Sequence, residues 1–219
     1  SFFYASRAMQ NSTNANKYGF DSIGDGTMDV HMTKNSEWGI VAYLSQSKYG
    51  KYGNSAYSGA NKEIYQNKSA TFTTGMSNGT PSQETAGTQV PYDTPDTGYG
   101  ASTTGTIYGV YGMSGGAAEY VMGNYNSTVR ASGFTNFPDS KYYDLYASDD
   151  ASIGYKSGDA TYETTGWYND FSRFVASANP WFLRGGSYDY ITIAGIFYYS
   201  DYNGGSSYDY IGARYTIKP

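Results

Sequence analysis

Covalent chemistry needs a nucleophile, a base and a group that orients them. This chain carries one histidine, His31, and no cysteine. The missing thiols remove disulfides, thiolate metal sites and cysteine nucleophiles together. With no second histidine there is no Ser-His-Asp arrangement to assemble, and His31 reads as a surface or packing residue. Oxygen ligands do recur, in "DSIGDGTMD" (21–29) and "SDDASIGYKSGD" (148–159). Carboxylates in glycine-containing loops are the setting that calcium takes. The EF-hand spacing fails, with Ile23 at the third position and Met32 at the twelfth. The expectation is therefore no cofactor, with a structural calcium ion as the open alternative. The glycine run "SGGAAE" (114–119) lacks the lysine of a phosphate loop.

The remaining chemistry is non-covalent and sits near the end of the chain. "RGGSYDYITIAGIFYYSDYNGGSSYDYIGARY", residues 184–215, holds eight tyrosines, Tyr188, Tyr190, Tyr198, Tyr199, Tyr202, Tyr208, Tyr210 and Tyr215, set among Ser, Asp, Asn and Gly. Tyrosine offers a large amphipathic contact surface with few rotors to freeze, and Ser, Gly and Asn adapt their hydrogen bonds, so antibody-type paratopes use this alphabet. The candidate ligand contacts are Ser187, Tyr188, Asp189, Tyr190, Ile191, Ile193, Tyr199, Ser200, Asp201, Tyr202, Asn203, Ser206, Ser207, Tyr208, Asp209 and Tyr210. Arg184, Gly185, Gly186, Ala194, Gly195, Phe197 and Gly212 read as the scaffold between them. Tyrosine also favours strands, so a strand face without any ligand is the competing reading of the same residues.

What positions these residues must be read from weaker signals. The chain has 219 residues, enough for one large domain with a substantial core. Aromatics make up 18% and charged residues 15%, a balance that buries apolar surface rather than remaining unfolded. The formal charge of -5 comes with no basic cluster, so no nucleic-acid partner is expected. No apolar run approaches the ~18 residues of a membrane span. The chain starts at Ser1 without a charged, apolar leader, which reads as an excised or mature domain whose original N-terminus is absent.

"SFFYASRAMQN" has helical character, and "TKNSEWGIVAYLSQSKYGK" is the strongest helix, with Thr33 or Asn35 as its cap. Trp38, Val41 and Ala42 form one helical set and Ile40, Tyr43 and Leu44 another, predicting a helix packed on both sides. Residues 51–106 lose apolar periodicity and read as a loop-rich, peripheral insert. "TGTIYGVYGMSGGAAEYVMGNY" predicts a strand, a glycine turn and a second strand. A helical turn is expected before Pro180, then a buried strand from Trp181 to Arg184, then short strands at "AGIFYY" and "GARYTI". Trp38, Trp167 and Trp181 are the aromatic anchors expected inside. The fold class is α+β.

Four stretches, "HMTKNSEWGIVAYL", "IYGVYGMSGGAAEYVMG", "PWFLRGGSY" and "IGARYTI", resemble in order and spacing the formylglycine-generating-enzyme branch of the C-type lectin fold. The resemblance covers nearly the whole chain. It implies a single C-type-lectin-like domain over 1–219 with two helices, short antiparallel strands and long irregular loops, the insert at about 51–106 and a variable cassette at about 184–219. The enzymes of that branch rely on a cysteine pair with bound copper, which this chain lacks. Tyr120 follows Glu119 where tryptophan is usual, and Ala213 stands where phenylalanine is usual. The resemblance therefore carries the fold and not the oxidase activity. "WYND" at 167–170 is similar to a sugar-binding motif of C-type lectins, but an extra tyrosine interrupts it and no "EPN" or "QPD" partner exists.

The same branch includes the variable proteins of diversity-generating retroelements, whose terminal cassettes resemble "RGG…AG.F…GG…GxR". Those systems mutate adenines, mostly in AAC- or AAT-type codons. Substituting the first two bases of an asparagine codon reaches Tyr, Ser, Asp, Gly, Ile, Thr, Ala and Phe but never Lys, Glu, Gln, Met or Trp. Residues 187–213 contain only Ser, Tyr, Asp, Ile, Thr, Ala, Gly, Phe and Asn. The resemblance implies a receptor- or adhesin-type protein of a bacterium or phage, with 187–211 as its paratope for an unknown protein or glycan on another cell or host. It implies a cell-surface or extracellular location, pilus-like or anchored, or a phage tail. A degenerate enzyme of the formylglycine-generating kind and a purely structural surface domain remain the alternatives.

Overall fold

A computed structural model describes residues 1–10, 28–64, 92–93, 95, 98–147, 159–190, 192–205 and 208–218. The chain is mixed α+β. Its elements are α1 (Phe2–Ala8), β1 (Asp29–Met32), α2 (Asn35–Ser45), β2 (Ala118–Tyr125), β3 (Asp144–Tyr146), a one-turn α3 (Ala160–Glu163), β4 (Trp181–Arg184), β5 (Tyr199–Tyr202), β6 (Ile211–Ala213) and β7 (Tyr215–Lys218).

Strand β2 is the axis. One edge pairs antiparallel with β4, placing Glu119 opposite Arg184. Its other edge is shared along its length: β6 pairs with Ala118 to Tyr120, Lys34 bridges to Met122, and β3 pairs with Gly123 to Tyr125. These three pairings are parallel, which corrects the expectation of antiparallel strands alone. Strand β5 extends the sheet beyond β4, and β1 pairs antiparallel with β7 in a separate two-stranded ribbon.

The period-two alternation of β2 and β4 divides the interior into two cores. Val121 and Phe182 pack with Trp38, Phe174, Ile196, Phe197 and Tyr199 on one face. Tyr120, Met122, Trp181 and Leu183 pack with Phe3, Met32, Tyr142 and Ile211 on the other. Helix α2 thus covers one face through Trp38, and α1 covers the other through Phe3. Trp181 stacks on Phe137 with ring centroids 5.6 Å apart.

Several expectations are corrected. The α2 terminus is closed by neither Thr33 nor Asn35. The Glu37 carboxylate accepts the Lys34 N–H at 2.9 Å, the return half of a capping box. Helix α2 packs on one side only, since Ile40 and Leu44 are 59% and 57% exposed. Trp167 is 38% exposed, leaving Trp38 and Trp181 as the buried anchors. Residues 107–117 form turns, and the first strand expected there does not exist. The flanks of the insert are not peripheral. Lys51 and Ile64 are buried, and the Lys51 ammonium donates to the carbonyls of Glu63 and Gly100. His31 is buried, with Nε2 2.9 Å from the Glu37 carboxylate, so it has the packing role expected.

Candidate ligand-binding surface

The surface is built on a rigid backbone frame around the start of β2. The Tyr188 N–H donates to the Gly116 carbonyl at 2.7 Å, and the Ala118 N–H donates to the Tyr210 carbonyl at 2.8 Å. Segments 188–190 and 208–210, twenty residues apart in sequence, are thereby fixed on either side of residues 116–118. The Gly185 carbonyl accepts from both Gly115 and Gly195, tying the cassette's entry to its middle. Gly186 has φ +70° and a Cβ there would lie 2.8 Å from Ala194 Cβ, so both conformation and space require glycine. The loop after it is pinned by the Trp38 indole N–H, which donates to the Ile196 carbonyl at 3.1 Å, and by the Asp170 carboxylate, which accepts the Phe197 N–H at 2.9 Å.

On this frame the tyrosines converge. Tyr208 and Tyr210 stack with centroids 4.9 Å apart and planes 6° from parallel, and Tyr188 meets Tyr210 edge-on at 6.2 Å. Tyr190 packs against Tyr198 at 5.3 Å, and Tyr202 against Tyr120 at 6.1 Å. Tyr208 and Tyr190 are exposed, with Asp189 and Asp209 beside them, while Tyr188, Tyr202 and Tyr210 are half-exposed. The Tyr188 hydroxyl is pushed up in pKa by desolvation and then by the Asp209 and Asp189 carboxylates. Tyr210 is pushed up by desolvation, then by Tyr208, Tyr202, Asp189 and Tyr190. These hydroxyls stay protonated as donors, and the two carboxylates give the patch a negative rim.

Nine of the expected contacts reach the surface: Tyr188, Asp189, Tyr190, Ile193, Tyr202, Asn203, Tyr208, Asp209 and Tyr210. Asn203 serves a turn there, its side-chain oxygen accepting the Gly205 N–H. Ile191, Ser206 and Ser207 lie outside the described residues. Ser187, Tyr199, Ser200 and Asp201 are buried and are corrected to scaffold. For Tyr199, Ser200 and Asp201 the cause is the loop at 171–173, which pairs along the outer edge of β5: Tyr199 donates to the Phe171 carbonyl and accepts from the Arg173 N–H. The Tyr199 hydroxyl lies 2.6 Å from Thr165 Oγ1, Asp201 pairs with Arg173 and Asn179, and Ser187 donates to Asp189.

Asp170, Arg173 and the 115–118 segment were missed because their contacts lie far away in sequence. The "WYND" motif carried a signal for Asp170, but its carboxylate turns inward to Phe197. Among the described residues no cluster of three His, Asp or Glu side chains can hold a metal. The two candidate calcium loops lie mostly outside the described residues. No described helix is long and apolar enough to cross a membrane. Compared with family models, curated proteins and solved structures, the chain matches none.

Proposed function

We propose that this protein is a ligand-binding protein of receptor or adhesin type, built on the C-type lectin fold, whose tyrosine surface is diversified by a retroelement. It acts by capture and not by catalysis, on a protein or glycan of another cell or host, at a cell surface, on a pilus-like structure or on a phage tail. The observation that carries this reading is the convergence of Tyr188, Tyr208 and Tyr210 from two segments onto one accessible patch, while their backbones are locked to residues 116–118. Side chains there can change without disturbing the pairing beneath, which is what a variable paratope requires. Central aromatics of such patches commonly dominate binding.

The deciding experiment is sequencing of the surrounding genome. A near-copy of the segment encoding 184–215, beside a reverse transcriptase gene and differing at template adenines, is the expected result. A complete locus with neither overturns the retroelement reading. A parallel glycan and cell-surface protein array, probed with the protein and with Tyr208→Ala, tests capture independently.

A further inference from the structure

A second site is built on the opposite side of β4. Between α2 and the α3 turn lies a cavity of about 370 Å³ into which Arg184 faces. Arg184 is 1% exposed, and among the described residues its Nε and Nη1 have no hydrogen-bond partner. Glu119, its partner in register, is held instead by Arg214 at 2.8 and 3.0 Å. The guanidinium lies near two ring faces, with the Trp38 centroid at 5.9 Å and that of Tyr199 at 5.8 Å, and the Asp170 and Asp159 carboxylates attract it through space. Burial pulls its pKa down to about 10, so the charge persists at neutral pH. A buried cation whose N–H donors are unpaired is costly in a protein interior, and ring faces and through-space attraction to Asp170 and Asp159 return only part of that cost.

The same cavity holds a second orphan. Asn35 spends its amide nitrogen on the Tyr146 hydroxyl at 2.6 Å and Thr161 Oγ1 at 2.9 Å, leaving Oδ1 without a partner among the described residues. Two fixed N–H donors of a guanidinium match a carboxylate. The walls are apolar, from Ile40, Leu44 and Phe197, and this explains why α2 shows apolar side chains on its outer face. Asp159 stands at the lining too, its carboxylate capping α3 through Thr161 and Tyr162. Its charge disfavours polyanions such as phosphate over a single carboxylate.

We propose that this cavity binds a small organic carboxylate, with the carboxylate on Arg184 and its apolar body against Ile40, Leu44 and Phe197. Acetate, butyrate and phenylacetate, with phenylacetamide and chloride as controls, would be titrated calorimetrically into the whole chain. Saturable binding that strengthens from acetate to phenylacetate, with phenylacetamide at least tenfold weaker, is expected. Arg184→Met should abolish it. Gly39→Leu gives a second route, because a Cβ at Gly39 meets nothing within 4 Å and the side chain can fill the cavity while improving the helix. It should weaken phenylacetate at least tenfold in a folded protein, even where Arg184→Met fails to fold. The proposal is overturned if no carboxylate saturates, if the amide binds equally, if Gly39→Leu leaves affinity unchanged, or if chloride alone binds, which would mean an adventitious ion only.

Discussion

The Nζ of Lys51 lies 2.6 Å from the carbonyl oxygen of Gly100, 49 residues away, and also donates to the Glu63 carbonyl. One amine thus closes both ends of the loop-rich insert onto the domain. Burial pulls its pKa from 10.5 to about 7, against the opposing pull of Glu63. Above pH 7 the folded chain holds the amine neutral, still able to donate to both carbonyls, while the unfolded chain stays protonated up to about 10.4. The unfolded state then binds more protons, so stability rises from pH 7 toward pH 9 and falls as pH returns to 7. Urea denaturation across that window should show the slope, and Lys51→Met should flatten it. A slope of equal size in the variant would remove Lys51 as its source.

The reach of Lys51 also shows where sequence reading stops. Strand β4 and helix α2 were legible because their signals are local: a short apolar run before two glycines, and tryptophan with its i+3 and i+4 neighbours. The scaffold glycines were legible for the same reason. Burial of Lys51, Tyr199 and Asp201 was not, because each depends on a loop tens of residues distant. Asp201 reads as a presented carboxylate until the 171–173 loop closes over β5. The capping of α2 was missed for a different cause, since Glu37 acts back on Lys34 where Thr33 and Asn35 offered the commoner capping side chains.

Gly195 and Asp170 form a tight pair. A Cβ at Gly195 would fall 2.0 Å and 2.2 Å from the Asp170 Oδ1 and Oδ2, and Oδ2 sits there to receive the Phe197 N–H. Gly195→Ala should destabilise by about 1–3 kcal/mol through overpacking. In an Asp170→Ala background the added methyl has room, so the same substitution should cost much less. A double-mutant cycle measured by chemical denaturation reads the coupling. Additive effects would show that the loop relaxes elsewhere.

Three aspartates of the cassette separate by burial. Asp201 is 7% exposed and carries Arg173 and Asn179, while Asp189 and Asp209 are exposed. Asp201→Ala removes a buried acceptor from the exposed Arg173 guanidinium and the half-buried Asn179 amide and should cost about 0.5–1.5 kcal/mol. Asp209→Ala should stay within about 0.5 kcal/mol, and Asp189→Ala should cost about 1 kcal/mol, because the buried Ser187 hydroxyl loses its acceptor. Thermal melts of the three variants check the ranking, and equal losses would mean that all three serve the scaffold.

The tyrosine patch makes the sharpest contrast between stability and binding. Trp181 is buried, stacks on Phe137 and donates its indole N–H to the Val129 carbonyl at 3.2 Å. Trp181→Ala removes that packing and leaves a cavity, at a cost of roughly 3–5 kcal/mol, enough to unfold a marginal domain. Tyr208 is 46% exposed and its stacking partner Tyr210 keeps its own place through the Ala118 N–H. Tyr188 is held by its backbone at Gly116, so truncating its side chain leaves the frame intact. Tyr188→Ala and Tyr208→Ala should therefore melt within about 0.5 kcal/mol of the parent. Tyr202 packs on the buried ring of Tyr120, and Tyr202→Ala should fall between the two groups. In capture of a ligand the order reverses, with the exposed tyrosines accounting for about 2 kcal/mol or more each. Melting curves beside a capture screen of the four variants decide the question. If Tyr188→Ala and Tyr208→Ala melt as early as Trp181→Ala, these rings are core and the patch is a strand face.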